Sequence, residues 1–171
     1  MSQRSMDRTI TLRPIADADQ EFLYRVYAST RTDELAQTDW DEATKAAFLR
    51  SQFEAQHRHY LEHYASARFE LIQLDGESIG RLYVARWAHE IRIVDIALLP
   101  AYRGQGIGTA LLKPILSEGQ ERGVPVTIHV ERFNPALRWY ERLGFRVAED
   151  KGVYLFLEWS PVAVQRVAHA G

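Results

Sequence analysis

The chain has 171 residues, of which 46% are hydrophobic and 26% are charged, a composition typical of a soluble globular domain. Its formal charge of -2 gives it no global electrostatic reason to bind nucleic acid or an anionic membrane, so any anion must be held by local geometry. The chain contains no cysteine, which excludes disulfides, a thiol nucleophile and thiolate-bound metals.

The first residues carry Arg4 and Arg8 but no apolar run long enough for a secretory signal. No segment approaches the roughly 18 apolar residues of a membrane-spanning helix. We therefore expect a cytoplasmic protein with one domain at residues 8–160, flanked by tails at 1–7 and 161–171.

The hydrophobic pattern predicts a mixed α/β protein with a central sheet. Strands are predicted at Ile10–Arg13, Phe69–Leu74, Ile79–Ala85, Ile91–Leu99, Val126–Val130, Arg146–Glu149 and Val153–Trp159. Helices are predicted from Asp17, over about Trp40–Tyr64, from the glycine-rich turn to about Arg122, and over Asn134–Leu143. Residues 31–42 hold five acidic side chains and one basic, which we interpret as a loop ending in a helix start near Thr38 or Asp39.

Three glycines, Gly104, Gly106 and Gly108, lie between an apolar strand and a predicted helix. Glycine allows positive φ and close backbone approach to a ligand. A helix start offers four unpaired N–H groups and roughly half a positive charge. Together they favour a site for an anion such as pyrophosphate, with Arg103 as a fixed charge at its rim. The glycines alone leave open a tight turn without any ligand.

Two other phosphate-binding motifs fail on spacing. A Walker loop needs a lysine after its last glycine, whereas Thr109 follows Gly108. The dinucleotide fingerprint GxGxxG would need a glycine at position 109, and the strand before this loop lies in mid-chain instead of opening a parallel unit. The anion is therefore predicted to be neither a nucleoside triphosphate nor a dinucleotide.

The segment Asp95–Leu112, DIALLPAYRGQGIGTALL, resembles the acyl-CoA-binding core of the GNAT N-acetyltransferase superfamily. The family pattern Gln/Arg-x-x-Gly-x-Gly/Ala is met by Arg103, Gly106 and Gly108, and its lead-in Pro-x-Tyr-Arg-Gly begins at Pro100. A second family block, Asn-x-x-Ala followed by Tyr-x-x-x-Gly-Phe, is met by Asn134, Tyr140, Gly144 and Phe145, with the alanine out of register by one place at Ala136.

The resemblance implies a three-layer αβα fold on a central, mostly antiparallel and splayed sheet of about six to seven strands. It implies acetyl-CoA as co-substrate and no metal, with coenzyme A lying where the strands at 91–99 and 126–130 part. The pantetheine arm is expected to pair with backbone groups of Ile96 and Leu98, helped by Asn134. The pyrophosphate is expected at the N–H groups of Gly104, Gln105, Gly106, Ile107, Gly108 and Thr109.

Direct transfer of an acyl group to an amine needs a neutral amine, a polarised carbonyl and a protonated leaving thiolate. Deprotonating a lysine-like amine at neutral pH costs about 4–5 kcal/mol, so a base or a carboxylate-held water is required. The N–H of Leu98 is a candidate donor to the carbonyl oxygen. Tyr140, at the family's tyrosine position, is the candidate acid beside the cofactor; alternatively it packs in the core beside Trp139 and Phe145.

Two carboxylates are candidate bases. Asp95 lies in an otherwise apolar strand, and Glu90 precedes the same strand. Asp95 could equally form an ion pair with an arginine across the sheet. A water molecule or a carboxylate of the substrate could replace either residue as base.

Three further features have competing interpretations. His59 and His63 could ligate a metal, but no HExxH-like motif accompanies them, so a solvated helix face is favoured. The acidic stretch with Trp40 either attracts a cationic amine or is a solvated loop. Pro114 should remove a hydrogen bond to Ala110 and kink its helix.

The sequence therefore predicts an N-acetyltransferase that moves an acetyl or short acyl group from acyl-CoA to a primary amine, on a small molecule or a protein. A homodimer is possible. The alternative is a catalytically silent module that binds acetyl-CoA as a sensor or interaction partner. Turnover of the thioester with any amine would distinguish the two, but the sequence does not specify the acceptor.

Overall fold

A computed structural model describes residues 8–163, which form seven strands and five helices. The strands are β1 (Ile10–Pro14), β2 (Arg68–Leu74), β3 (Glu77–Arg86), β4 (Ile91–Leu98), β5 (Val126–Glu131), β6 (Arg146–Asp150) and β7 (Tyr154–Trp159). The helices are α1 (Gln20–Ser29), α2 (Thr32–Ala36), α3 (Glu42–His63), α4 (Ile107–Arg122) and α5 (Leu137–Arg142). All seven predicted strands are present. The tail predicted at residues 1–7 and most of the one predicted from 161 lie outside the described residues.

The chain divides into two compact units. The first runs to Ala85 and also includes Val94–Thr109. The second contains Arg86–Ile93 and the described chain from Ala110 onward. Strand β4 contributes its first three residues to the second unit and the remainder to the first. One domain over residues 8–160 stays a prediction.

Hydrogen bonds join the strands in the order β1-β2-β3-β4-β5-β7-β6. β1 with β2, β2 with β3, β5 with β7, and β6 with β7 run antiparallel, whereas β4 and β5 run parallel. Asp75 and Gly76 close the β2–β3 hairpin with positive φ values of 50° and 85°, as the Asp-Gly pair predicted. Gly152, with φ 84°, lies at the middle of the three-residue connection between β6 and β7.

The first unit is built around a cluster of buried aromatic and aliphatic side chains. Leu23 and Tyr27 of α1 lie one turn apart on the same helix face, as the predicted helical spacing requires, and both are buried. They pack with Phe53 of α3, Leu71 of β2 and Tyr83 of β3. The core of this unit therefore fixes two helices against two neighbouring strands.

The core of the second unit includes most of β5. Val126, Ile128 and Val130 alternate along this strand and are all buried, and Thr127 on its opposite face is buried as well. Gly119 of α4 allows a close approach, because a Cβ built there would lie 3.0 Å from both the Trp159 ring and a methyl group of Val126. A side chain larger than hydrogen would push α4 away from these strands.

The prediction for residues 31–42 was wrong in one part. Thr32–Ala36 forms the short helix α2 instead of a loop, because Leu35 is buried and the Thr32 hydroxyl donates to the Ala28 carbonyl. The next helix begins at Glu42, later than predicted, because the Asp41 carboxylate accepts the Thr44 N–H at 2.7 Å and caps it.

Helix α4 continues through Pro114 from Ile107 to Arg122. The proline lacks the N–H that would bond to the Ala110 carbonyl, but the helical segment does not end there. Gly123, with φ 65°, follows the last helical residue, which is the usual position for a left-handed terminating glycine.

Candidate functional site

The glycine-rich turn joins β4 to α4 within the first unit. After a short 3₁₀ turn at Pro100–Tyr102, Gly104 and Gly106 have φ values of 72° and 81°, a region that other residues adopt only with strain. A Cβ built on either glycine would have nothing within 4 Å, so open space borders the turn. The turn leads directly into the helix start at Ile107, where backbone N–H groups lack intrahelical partners. Gly108 and Thr109 belong to the first turn of α4.

Arg103 is held by groups of the protein. Its Nε donates to the Leu98 carbonyl at 2.9 Å, and its Nη2 donates to the Ser29 hydroxyl at 3.3 Å. The side chain therefore ties the end of β4 and the start of the glycine-rich turn to the last residue of α1. Its predicted contact with pyrophosphate stays a prediction.

Both the nitrogen and the oxygen of the Gln105 side-chain amide form hydrogen bonds. Its Nε2 donates to the Ala101 carbonyl at 2.8 Å, and its Oε1 accepts from Nη1 of Arg8 at 2.6 Å. Because a carbonyl accepts and a guanidinium only donates, the orientation of this amide follows from its partners. Arg8 is therefore part of the surroundings of the turn, although it lies 97 residues away in sequence.

The residues expected to meet the pantetheine arm lie in the last part of β4. The ladder between β4 and β5 pairs Ile91 to Ile93 with Val126 to Ile128. Among residues 8–163 it includes no further pair, so Ile96 and Leu98 lie outside it. The side chains of both residues are half-buried.

Asp95, a candidate base, is bound by two side chains of the first unit. Arg81 of β3 donates to it from Nε at 3.3 Å and from Nη2 at 2.9 Å. The hydroxyl of Tyr60 on α3 donates at 2.9 Å. Nη2 of Arg81 also donates to Gln56, one turn before Tyr60, at 2.9 Å. The alternative that Asp95 pairs with an arginine across the sheet is therefore the one observed, with Arg81 as partner.

This ion pair is almost completely removed from water. The side chains of Arg81 and Asp95 are 3% and 14% exposed. Burial alone would lower the pKa of Arg81, but the charge of Asp95, its hydrogen bond to Arg81 and the neighbouring hydroxyls of Tyr83 and Tyr60 together raise it, so the guanidinium stays charged. Beside it, burial raises the pKa of the Tyr83 hydroxyl to about 12. Among the described residues that hydroxyl has no hydrogen-bond partner.

Glu90, the other candidate base, forms a separate cluster in the second unit. It accepts from the Thr127 hydroxyl at 2.5 Å and from Nη2 of Arg92 at 3.1 Å. Burial alone would raise the pKa of Glu90, but the Thr127 hydrogen bond and the Arg92 charge together lower it. Arg92 in turn lies over the rings of Trp87 and Phe156, with its guanidinium carbon 5.2 Å from each centroid. Glu90 is therefore ionised at neutral pH, and hydrogen bonds from Thr127 and Arg92 stabilise its negative charge.

Tyr140 and Asn134 lie in the second unit on either side of the start of α5. Tyr140 is buried, with ring centroids 4.7 Å from Trp139 and 5.6 Å from Phe145. Tyr140 therefore packs in the core beside Trp139 and Phe145, as the alternative interpretation expected. Its role as proton donor to the leaving thiolate stays a prediction. The Asn134 side chain accepts the Ala136 N–H at 2.8 Å and so shapes the turn before α5.

His59 and His63 of α3 lie next to each other on the helix, as their i,i+4 spacing predicted. The rings of His59 and His63 stack with centroids 4.1 Å apart, and Nδ1 of His63 lies 3.0 Å from the His59 carbonyl. Over residues 8–163, no group of three or more His, Asp or Glu side chains could hold a metal ion. Within the same range, none of the helices has the length and apolar character to cross a membrane.

The sequence analysis did not identify two residues that contribute to the candidate site, Arg81 and Arg8. Arg81 stands alone as a charge inside the apolar stretch Ile79–Ala85, so its partner could have been sought in Asp95, the acidic residue of the next strand. Arg8 gives no such signal, because only its long-range bond to Gln105 connects it to the glycine-rich turn.

Comparison with known proteins identifies the family. A family model described as the acetyltransferase (GNAT) family matches residues 23–145, which is well over half of the chain and includes the glycine-rich turn and Tyr140. The chain belongs to this family, and the resemblance noted in its two sequence blocks is confirmed.

Two curated relatives share part of the chain. The mycothiol acetyltransferase of Corynebacterium glutamicum (strain R) is 40% identical over 84 residues, covering 47% of this chain and 29% of the relative. The streptothricin acetyltransferase of Streptomyces lavendulae is 33% identical over 84 residues, covering 47% of this chain and 44% of the relative. The chain thus spans less than half the length of these relatives.

Solved structures share the fold over nearly the whole chain. The PaiA N-acetyltransferase from Thermoplasma acidophilum, in complex with coenzyme A, has a TM-score of 0.67 at 20% identity and covers 89% of this chain and 99% of that one. A GNAT family acetyltransferase from Elizabethkingia anophelis with acetyl-CoA bound has a TM-score of 0.56 at 18% identity, covering 88% and 97%. The predicted fold class, a mixed α/β protein on a mostly antiparallel open sheet, is confirmed.

Proposed function

We propose that this protein transfers an acetyl or short acyl group from acyl-CoA to a primary amine. The observation that carries the proposal is the glycine-rich turn, with two left-handed glycines followed at once by the start of a 16-residue helix. Such a turn presents backbone N–H groups and a positive helix end to an anion. The family match over residues 23–145 makes coenzyme A the anion that this geometry suits best.

The donor is proposed to be held mainly by backbone. The N–H groups of Gly104 to Thr109 would bind the pyrophosphate, and those of Ile96 and Leu98 the pantetheine arm, with Asn134 assisting. Support comes from the open space at Gly104 and Gly106 and from the position of Ile96 and Leu98 outside the β4–β5 ladder. Two solved relatives of the same fold contain coenzyme A or acetyl-CoA.

The chemistry is proposed to be direct attack of the amine nitrogen on the thioester carbonyl. The new C–N bond forms as the C–S bond breaks, the amine proton leaves to a base, and the thiolate is protonated. The Leu98 N–H would polarise the carbonyl, and Tyr140, whose phenol is protonated at neutral pH, would protonate the thiolate. Asp95 and Glu90 stay candidate bases, either directly or through a bound water.

One observation favours a second candidate function. Both candidate bases are already hydrogen-bonded, Asp95 to Arg81 and Tyr60 and Glu90 to Arg92 and Thr127, so neither carboxylate could approach an amine without giving up one of these bonds. A protein that binds acetyl-CoA without catalysing its turnover would have the same donor-binding turn. Affinity for acetyl-CoA with no thioester consumption would favour this module.

The decisive experiment measures binding and turnover separately. Acetyl-CoA binding is followed by calorimetry, and turnover by release of free thiol with a panel of small amines and basic peptides. Because the chain contains no cysteine, a thiol reagent detects only the coenzyme A that is released. Thiol release with any amine supports the enzyme, binding without release supports the module, and absence of binding contradicts both.

A matched pair of variants tests the donor site. Gly106→Ala should weaken acetyl-CoA binding, because alanine disfavours the positive φ of the turn. Gly152→Ala imposes the same kind of strain on the β6–β7 hairpin, with φ 84°, and should leave binding unchanged. Equal loss of acetyl-CoA binding in both variants would argue that the glycine-rich turn has no specific role in binding the donor.

A further inference from the structure

We infer that Arg8, outside both family sequence blocks, is a donor-binding residue whose guanidinium contacts a phosphate group of the acyl-CoA. The inference rests on the proposed function and adds a charged side chain to a site proposed to consist mainly of backbone groups. It starts from the two arginines that lie at the glycine-rich turn, Arg103 and Arg8. Their different surroundings decide which of them is available to an anion.

Arg103 is directed toward protein acceptors. Its Nε and Nη2 donate to the Leu98 carbonyl and the Ser29 hydroxyl, so this side chain fastens the turn to β4 and α1. A phosphate that recruited the same donors would have to break those two bonds. Two of the five N–H groups of Arg103 therefore form a structural tie, which restricts how this side chain can turn toward a pyrophosphate.

Arg8 has a different environment. Its Nη1 donates to Gln105 Oε1 at 2.6 Å, and Gln105 lies between the two left-handed glycines, Gly104 and Gly106. A guanidinium has five N–H donors, of which this bond uses one. No carboxylate between residues 8 and 163 forms an ion pair with Arg8, so its charge is not neutralised by that part of the chain.

The backbone that carries Arg8 is held in place. The N–H of the next residue, Thr9, donates to the Asp75 carboxylate at 2.9 Å, and the Asp75 N–H donates to the Thr9 carbonyl at 2.9 Å. Both bonds lie at the β2–β3 hairpin. Arg8 is therefore tethered on one side by this pair and on the other by Gln105, which places a fixed positive charge against the turn.

A fixed guanidinium beside a helix start matches the chemistry of a phosphate group. The helix end and the backbone N–H groups supply partial positive charge, and the planar fork of arginine adds a full charge with paired donors. Coenzyme A carries a diphosphate and a 3′-phosphate, either of which presents this chemistry.

The test measures the affinity of wild type and Arg8→Gln for coenzyme A by calorimetry at low and moderate salt. Arg8→Gln should bind about five- to tenfold more weakly at low salt, and the difference should shrink as salt screens the exposed charge. Arg146→Gln is the matched control, since Arg146 is an exposed arginine on β6 and its loss changes the net charge equally. Because Arg8 is exposed, the variant should melt at the wild-type temperature.

Binding of 3′-dephospho-coenzyme A separates the two phosphate groups. If the variant loses affinity for both ligands, Arg8 contacts the diphosphate; if it loses affinity only for intact coenzyme A, the contact is to the 3′-phosphate. The inference is overturned if Arg8→Gln binds coenzyme A as tightly as wild type, or no more weakly than Arg146→Gln. Failure of the wild type to bind coenzyme A would instead overturn the proposed function together with this inference.

Discussion

Asp95 accepts hydrogen bonds from Arg81 and Tyr60. Among the contacts described, it is the only negatively charged partner of the buried Arg81. Replacing Asp95 with asparagine keeps the shape of the side chain and removes that charge. An uncompensated buried cation costs about 3–5 kcal/mol. We therefore expect Asp95→Asn to lower the free energy of unfolding by about that amount, measured by urea denaturation.

Two further variants separate the ion pair from a catalytic role. Glu21→Gln, at the exposed pair with Arg50, should cost about 1 kcal/mol or less. The double change Arg81→Met with Asp95→Leu should recover much of the stability lost in Asp95→Asn, because apolar side chains need no charge partner. If the double variant is also as active as wild type, Asp95 is not the base. No loss of stability in Asp95→Asn would contradict the buried-pair account.

Tyr140 is the residue on which the proposed proton transfer can be tested most directly. Tyr140→Phe keeps the ring contacts with Trp139 and Phe145 and removes only the hydroxyl. Loss of a general acid lowers kcat by about 10²-fold or more, so we expect a fall of that size with little change in acetyl-CoA affinity. Steady-state kinetics and calorimetry on the same preparation measure the two effects. Wild-type kcat in Tyr140→Phe would leave the residue with a packing role alone.

At the scale of whole elements, the contact of β3 with the last part of β4 depends on one glycine. A Cβ built on Gly80 would lie 2.2 Å from the Ala97 carbonyl oxygen, a distance that forces the strands apart. Overpacking of this kind typically costs about 1–3 kcal/mol. Because Ala97 lies between Ile96 and Leu98, the displacement should also raise the KM for acetyl-CoA.

The experiment compares Gly80→Ala with Ser78→Ala on the same strand. The second variant removes a hydroxyl without adding volume and should change the free energy of unfolding by less than about 0.5 kcal/mol. We expect only Gly80→Ala to unfold at lower urea and to show the higher KM. An equal KM in the two variants would separate this part of β4 from donor binding.

Over the whole molecule, the perturbed groups make stability fall as the solution becomes acidic. Burial is the first cause that lowers the pKa of His57 and His129. Below about pH 6.5 the unfolded chain therefore takes up protons that the folded protein does not, and stability is lost. The lowered pKa values of Asp19 and Glu90 add a second loss as the pH falls below about 4.5.

The pH prediction is checked by urea unfolding between about pH 4 and 8. Stability should be greatest above about pH 7 and decline in two stages toward acid. His57→Gln combined with His129→Gln should remove most of the decline that begins below about pH 6.5 and leave the decline caused by carboxylates. A decline in the double variant that matches wild type in that range would contradict the assignment to these histidines.

The sequence by itself determined the features that depend on neighbouring residues. The Asp75–Gly76 hairpin, the glycine-rich turn before α4 and the positions of the strands, to within about two residues at their ends, follow from local backbone preferences and from side-chain periodicity. The two motif blocks were sufficient to identify the family. The short helix α2 was missed because burial of Leu35, a tertiary effect, outweighed a polar composition.

Only the tertiary structure decided which charges meet. Arg81 and Asp95 face each other because their strands are neighbours, and Arg8 reaches Gln105 across 97 residues because the start of β1 is held at the β2–β3 hairpin. Each such bond depends on strand order and packing, which no local pattern of residue types contains. For this reason the sequence could predict the backbone turn at Gly104 and Gly106 but could not assign the arginine that accompanies it.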